Sequence, residues 1–136
     1  TIASIIKEEK LPLHGNGNSS RSFIYIDDFC EAIYKAIFKS NIGEIYNISS
    51  NEIITIKNLI KKICLKMNKK FSDVIYVEKD RFGKDQKYLM DNTKAKKHLS
   101  WKNKISLDKG LDKVIAWQIL NKKKLVNSKT YYKHKP

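Results

Sequence analysis

Of the 28 basic residues in this 136-residue chain only two, Arg21 and Arg81, are arginine. Lysine is the default cation, so these two positions are where a guanidinium could be required. An Arg fork grips phosphate oxygens through two parallel N–H bonds, whereas a Lys ammonium acts as a point charge. Arg21 closes the polar run GNGNSS and opens SFIYI, and Arg81 follows the apolar run DVIYVE. Composition alone leaves open that both are ordinary exposed cations, and the surrounding residues have to decide.

Other residue types with chemical potential fall into patterns that chemistry does not need. Cys30 and Cys64 stand apart, with no CxxC and no His at ligand spacing, so no metal site and no disulfide framework is expected. Each reads as a buried free thiol on a helix. Gly15-Asn-Gly17 lacks the third glycine of a dinucleotide-binding turn and precedes a strand instead of a helix. Tyr131 and Lys135 fit a Tyr-x-x-x-Lys spacing, but the basic tail offers no helix to hold them on one face. No nucleophile, base and orienter occur in a workable order. No catalytic residue is assigned, and the chain alone is expected neither to bind a dinucleotide nor to turn over a substrate.

The run LPLHG (11–15) is short, apolar and closed by Gly, and the polar loop GNGNSS follows it. SFIYI alternates as a strand should. Asp28 with Glu31 three residues on reads as a capping box for a helix whose stripe is Ala32, Ile33, Ala36 and Ile37. EIYNIS (44–49) reads as a strand. Thr55 is the N-cap of a helix carrying Ile56, Leu59, Ile60, Ile63, Cys64 and Met67 at helical spacing. DVIYVE (73–78) is a strand, KDRFGKDQKY a polar loop, and Thr93 to Leu99 a short helix with Trp101 anchoring its exit. Ser106 caps a last helix carrying Leu107, Leu111, Val114, Ile115 and Ile119. The pattern is α/β, with mixed strand directions allowed. It predicts one domain over 1–121 and a basic, irregular tail over 122–136.

The formal charge of +14 raises the question of a polyanion partner. Lysines are scattered through every segment, aromatics are not interleaved with them, and no nucleic-acid reading motif is present, so nucleic acid is not the expected partner. A non-catalytic module that binds polyanions through those lysines stays as the rival reading. No apolar run approaches the ~20 residues of a membrane span, and the expected location is cytoplasmic. The opening IASIIKEEK resembles the last turns of a helix begun earlier, so the chain reads as part of a longer protein.

Three blocks in order, LPLHGNGNSSRSFIYIDDFCEAI, GEIYNIS and DRFGKDQKYLMDNTKAKKHLSWKNKISLDKGL, resemble the C-terminal substrate-binding part of the NAD-dependent epimerase/dehydratase enzymes. These are extended short-chain dehydrogenases/reductases, and the nearest likeness is to the dTDP-glucose 4,6-dehydratases. The resemblance runs from about Leu11 to Trp117. It implies a small mixed α/β substrate-binding domain without the Rossmann half, and a nucleotide-diphosphate sugar as ligand. It also implies a homodimeric parent enzyme in which NAD, held by the missing N-terminal Rossmann part, takes a hydride from C4 of the hexose and returns it at C6 after water has left.

The same resemblance implies roles residue by residue. Arg21 would clamp the diphosphate. Pro12, Leu13 and His14 would border the nucleobase, with His14 where the family usually has Tyr. Thr55 falls where relatives place a polar residue against the nucleotide. Asp80, Arg81, Phe82, Gly83 and Lys84 match the family's D-R-P-G-H stretch, and Arg81 would be the second phosphate contact. Tyr88 keeps register in GKDQKY, which favours the dehydratases. Phe82 for Pro, Lys84 for His, and Ser49-Ser50 for a Gly-Gly pair depart from the pattern. Arg21-Ser22-Phe23 is as close to the UDP-sugar decarboxylases and epimerases, which stay as alternatives.

Overall fold

A computed structural model describes residues 1–80, 83 and 85–126. In chain order its elements are α1 (Ile2–Lys7), β1 (Leu11–His14), a 3-10 turn (Gly15–Gly17), β2 (Ser20–Ser22), α2 (Ile26–Lys39), β3 (Ile53–Thr55), α3 (Ile56–Lys66), α4 (Phe71–Val74), β4 (Ile75–Glu78), β5 (Lys87–Tyr88), α5 (Thr93–Leu99), α6 (Leu107–Leu120) and α7 (Lys122–Val126). The sequence pattern treats 1–121 as one domain. The contacts divide the chain into two interleaved units, one of residues 1–18, 57–84 and from 111 on, the other of residues 19–56 and 85–110. Together these elements form the small mixed α/β arrangement expected, with parallel and antiparallel pairs both present.

In the first unit β1 pairs with β4 in parallel, from Leu11 opposite Ile75 to His14 opposite Glu78. A parallel pair requires a long crossover, and here residues 15–74 separate the two strands. Buried residues of this unit are Ile2 and Ile5 of α1, Leu13 of β1, Ile60, Ile63 and Cys64 of α3, Val74, and Leu111 and Ile115 of α6. The α3 and α6 residues are among those the helical spacing selects, although Leu59 and Val114 are only half-buried and Ile119 is exposed. Burial pushes the Cys64 thiol up, which suits an inert core thiol; Cys30, expected to be buried as well, is exposed. Where an irregular tail is expected from 122 on, Lys122–Val126 is helical and contacts α1. Lys and Leu are good helix formers, which outweighs the lack of periodicity there.

Gly17 is required where it stands. Its φ is +68°, and an added Cβ would lie 2.7 Å from Leu13 Cδ1 and 2.9 Å from the Lys57 backbone N. Gly17→Ala is expected to cost at least about 1–2 kcal/mol from the left-handed backbone alone, read as a lowered midpoint of thermal denaturation.

In the second unit β2 is the centre strand of a three-stranded sheet, antiparallel to β3 and parallel to β5. The strand is Ser20–Ser22 and shares only Ser22 with the expected SFIYI run, whose Ile26 already opens α2; its partners are only three and two residues long. Residues 44–49, expected as a strand, belong to no ladder. Alternation shows that a segment can be a strand; a ladder also needs a neighbour. Ala32, Ala95, Leu99 and Trp101 form the core of this unit, flanked by Ile24, Ala36, Tyr46 and Ile48. Of the expected stripe on α2, Ala32 and Ala36 face this core, whereas Ile33 and Ile37 are exposed.

The capping box is not what Asp28 forms. Helix α2 begins two residues earlier, with Tyr25 at the N-cap position and no side-chain cap bond. That places Asp28 inside the first turn at 2% exposure. Its Oδ2 accepts the backbone N–H groups of Lys104 (3.0 Å) and Ile105 (2.9 Å), and its carbonyl accepts the Trp101 indole N–H at 2.9 Å. Asp28 therefore ties the 101–105 loop to α2. Ser106 does cap α6, where its Oγ accepts the Lys109 N–H at 3.4 Å.

Glu31 bonds Lys104 at 2.6 Å and Lys35 at 3.0 Å, and Glu44 bonds Lys94. Hydrogen bonds from Lys104 and Lys35 hold the Glu31 carboxyl below the usual range, and the bond from Lys94 does the same for Glu44. A carboxyl lowered on folding stabilises above its unfolded value, about 4.3, and that contribution is lost as pH falls through the folded value. Stability should thus decline below about pH 4.3, and Glu31→Gln should flatten the decline in an acid titration followed by circular dichroism.

Candidate functional site

The small sheet of the second unit positions Arg21. It lies opposite Ile54 of β3 and Tyr88 of β5, while Ser20 lies opposite Thr55 and Lys87. Residues in register share a face and successive residues alternate, so Arg21 and Tyr88 belong to one face of the sheet and Thr55 to the other. Arg21 is half-buried and Tyr88 exposed. The guanidinium donates from Nη1 to the Ser20 carbonyl at 2.7 Å and from Nη2 to the Asp85 carbonyl at 2.9 Å. These bonds take two of the five N–H donors a guanidinium has and hold the fork at the edge where β5 begins. The Ser20 N–H also bonds the Gln86 carbonyl at 2.8 Å, so the Arg21 end of β2 is pinned to 85–88 by backbone and side chain together.

A polar seam backs this sheet. Ser22 Oγ donates to the Ser50 carbonyl at 2.7 Å and accepts the Ser50 N–H at 3.1 Å. Ser49 Oγ donates to the Met90 carbonyl at 2.9 Å, and buried Asn92 donates to the Ser49 carbonyl at 2.7 Å. Neither Ser49 nor Ser50 has a positive φ, so serine fits where the family pattern has Gly-Gly, and its hydroxyls add bonds glycine lacks. Asn92 went unnoticed in the sequence. Its one signal is a short polar run, DNT, ahead of a helix, which reads first as capping; Asp91 does cap, taking the Thr93 N–H at 2.9 Å.

The other expected site residues fall in the first unit. Pro12, Leu13 and His14 are on β1, with Leu13 buried and Pro12 exposed. His14 Nδ1 lies 3.1 Å from Glu78 Oε2 and 3.2 Å from the Lys79 carbonyl, so the imidazole is held beside the end of β4. Gly83 has φ +73°, the left-handed region that favours glycine. Arg81, Phe82 and Lys84 lie outside the described residues, as do Tyr131 and Lys135. The expected pairing of Arg21 with Arg81 on one diphosphate therefore rests on the sequence.

The glycine-rich turn does not fit a dinucleotide. Gly15, Asn16 and Gly17 are all left-handed, and the strand Ser20–Ser22 follows them, so no helix N-terminus faces the turn. An added Cβ at Gly15 would sit 2.3 Å from the Asp80 carboxyl carbon, so the Asp80 side chain occupies the space beside the turn. Among the described residues no group of three His, Cys, Asp or Glu could hold a metal ion, and no helix is long and apolar enough to cross a membrane.

Comparison with known proteins places these features in context. Residues 1–114 match the family model described as GDP-mannose 4,6 dehydratase. The dTDP-glucose 4,6-dehydratase of Haemophilus influenzae is 28% identical over 130 residues, covering 88% of this chain and 38% of that protein. The dTDP-glucose 4,6-dehydratase of Bacillus anthracis, solved in complex with NAD, superposes with a TM-score of 0.82 at 29% identity over 90% of this chain and 38% of its own. The UDP-glucose 4-epimerase of Thermotoga maritima, solved with UDP-glucose, gives 0.81 at 26% identity over 88% of this chain and 38% of its own. The chain thus spans little more than a third of the length of each of these relatives.

Proposed function

The chain belongs to the NAD-dependent epimerase/dehydratase family of extended short-chain dehydrogenases/reductases, matching its C-terminal substrate-binding part, and from that premise we propose that it binds dTDP-glucose for a 4,6-dehydratase. The observation that carries this reading is Arg21, one of two arginines in a lysine-rich chain, with its guanidinium anchored by two carbonyls on the face it shares with Tyr88. A fork fixed in this way loses little freedom when it takes two phosphate oxygens. Arg21 grips the diphosphate, and Tyr88 offers its ring or hydroxyl beside it.

Such residues perform no bond making. They position a substrate, which can contribute several kcal/mol to a barrier when the reacting atoms are aligned elsewhere. NAD has no seat at the glycine turn, so none of its chemistry is assigned to this chain. The match to the Thermotoga maritima epimerase supports a second reading, in which the ligand is UDP-glucose and the reaction an epimerisation.

Calorimetric titration of the chain with dTDP-glucose, UDP-glucose and inorganic pyrophosphate tests the proposal. It predicts the nucleotide sugars to bind ahead of pyrophosphate and dTDP-glucose ahead of UDP-glucose. The reverse order between the sugars favours the epimerase reading. Binding that ignores the base and weakens steeply with salt would identify a polyanion-binding module and overturn both.

A further inference from the structure

Tyr88 comes to the face of Arg21 on β5, a strand of only two residues. Strands usually have at least three, so the ladder by itself fixes little of the course of 85–92. Hydrogen bonds outside the ladder do that. At the start of the segment Arg21 Nη2 donates to the Asp85 carbonyl at 2.9 Å and the Ser20 N–H to the Gln86 carbonyl at 2.8 Å. At its end Ser49 Oγ donates to the Met90 carbonyl at 2.9 Å, and Asn92 Nδ2 donates to the Ser49 carbonyl at 2.7 Å and to Asn51 Oδ1 at 3.1 Å. Tyr88 lies between these two sets of ties.

The second set closes back on the first. Ser50, next to Ser49, exchanges two bonds with Ser22 Oγ, at 2.7 and 3.1 Å, and Ser22 follows Arg21 on β2. A ring of bonds thus runs from Arg21 through 85–86, past Tyr88 to 90–92, and through 49–50 back to Ser22. Ser49, Ser50 and Asn92 are 3%, 6% and 4% exposed; with water excluded, a satisfied polar network is rigid. Asn92 stands at the N-cap position of α5 but makes no side-chain cap bond there. Both hydrogens of its amide are spent instead on 49–51.

We propose that Asn92 and Ser49 are positioning residues for nucleotide-sugar binding: they fix the course of 88–92 and so hold Tyr88 on the face of Arg21. Buried as they are, they act on the ligand through Tyr88. The inference rests on the reading of Arg21 and Tyr88 as ligand contacts.

A mutant cycle tests it. Dissociation constants for dTDP-glucose are measured by calorimetry for the chain, Asn92→Ala, Tyr88→Ala and the double variant, each below its own denaturation midpoint. Asn92→Ala should weaken binding about tenfold, within the range of coupled neighbours. In the Tyr88→Ala background the same change should alter affinity by less than about twofold, the scatter of independent sites. Ser49→Ala, which removes only the bond to the Met90 carbonyl, should act in the same direction, and its own cycle with Tyr88→Ala carries the test if Asn92→Ala does not fold. The Tyr88 ring resonances of the free chain, identified by their absence from Tyr88→Ala, give a readout without ligand and should move in both single variants.

Undiminished affinity in Asn92→Ala and Ser49→Ala overturns the proposal, and so do stationary Tyr88 resonances. A loss of equal size with and without Tyr88 also overturns it, because general loosening of the unit would give that result. Arg21→Lys separates the two claims. Binding that depends on Arg21 but shows no coupling between Asn92 and Tyr88 sinks the positioning role alone. If the chain does not bind dTDP-glucose, or binds it equally well as Arg21→Lys, the reading of function falls and this inference falls with it.

Discussion

Replacing Trp101 by Ala is expected to destabilise the second unit by about 3–5 kcal/mol, the range for truncating a buried aromatic to Ala. Trp101 is 1% exposed and packs with Ala32, Ala95 and Leu99, so its removal leaves a cavity that two alanines and one leucine are too small to fill. It also removes the indole N–H from the Asp28 carbonyl. Trp101→Phe separates the two effects, because a ring remains and chiefly the hydrogen bond is lost, at about 1 kcal/mol. A domain of this size has roughly 5–15 kcal/mol of stability in all, so Trp101→Ala should lower the urea midpoint severely and Trp101→Phe mildly. Equal midpoints for both variants and the parent chain would show that Trp101 is not the core of its unit.

Arg21→Lys is expected to weaken dTDP-glucose binding by about 1.5–3 kcal/mol, the scale of a hydrogen bond to a charged group, which is roughly 10- to 150-fold in affinity. The positive charge is retained, so the loss isolates the fork geometry. The substitution also gives up the anchoring bonds to Ser20 and Asp85, which are partly exposed and whose loss should alter the denaturation midpoint little. Affinity falling without a matching loss of stability is the signature of a ligand contact. A variant that binds as well as the parent makes Arg21 a strap for the 85–88 segment only.

Much of the scaffold could be read before the structure. The helix over Thr93–Leu99, the apolar faces of α3 and α6, the strand ending at Glu78 and the buried Trp101 all follow from periodicity and capping, which are local properties. What was misread depends on neighbours. Asp28 has the residue type and spacing of a cap, but the helix starts at Ile26 and the carboxylate serves a loop more than seventy residues away. EIYNIS has the alternation of a strand but pairs with no strand among the described residues. The two-unit division is invisible locally because the units interleave along the sequence.

The candidate site divides in the same way. Arg21 stood out by composition, yet the register that sets Tyr88 beside it and turns Thr55 to the opposite face is a tertiary fact. The carbonyls that orient the guanidinium carry no sequence signal at all, since every residue has one.

The most direct test is the Nε–Hε resonance of the Arg21 side chain, observed by NMR while dTDP-glucose is added at physiological salt. The account predicts a saturating shift of that resonance with the dissociation constant found by calorimetry, absent in Arg21→Lys, while the lysine ammonium signals stay in place. A stationary Arg21 resonance, with shifts spread instead over the lysines, would contradict it.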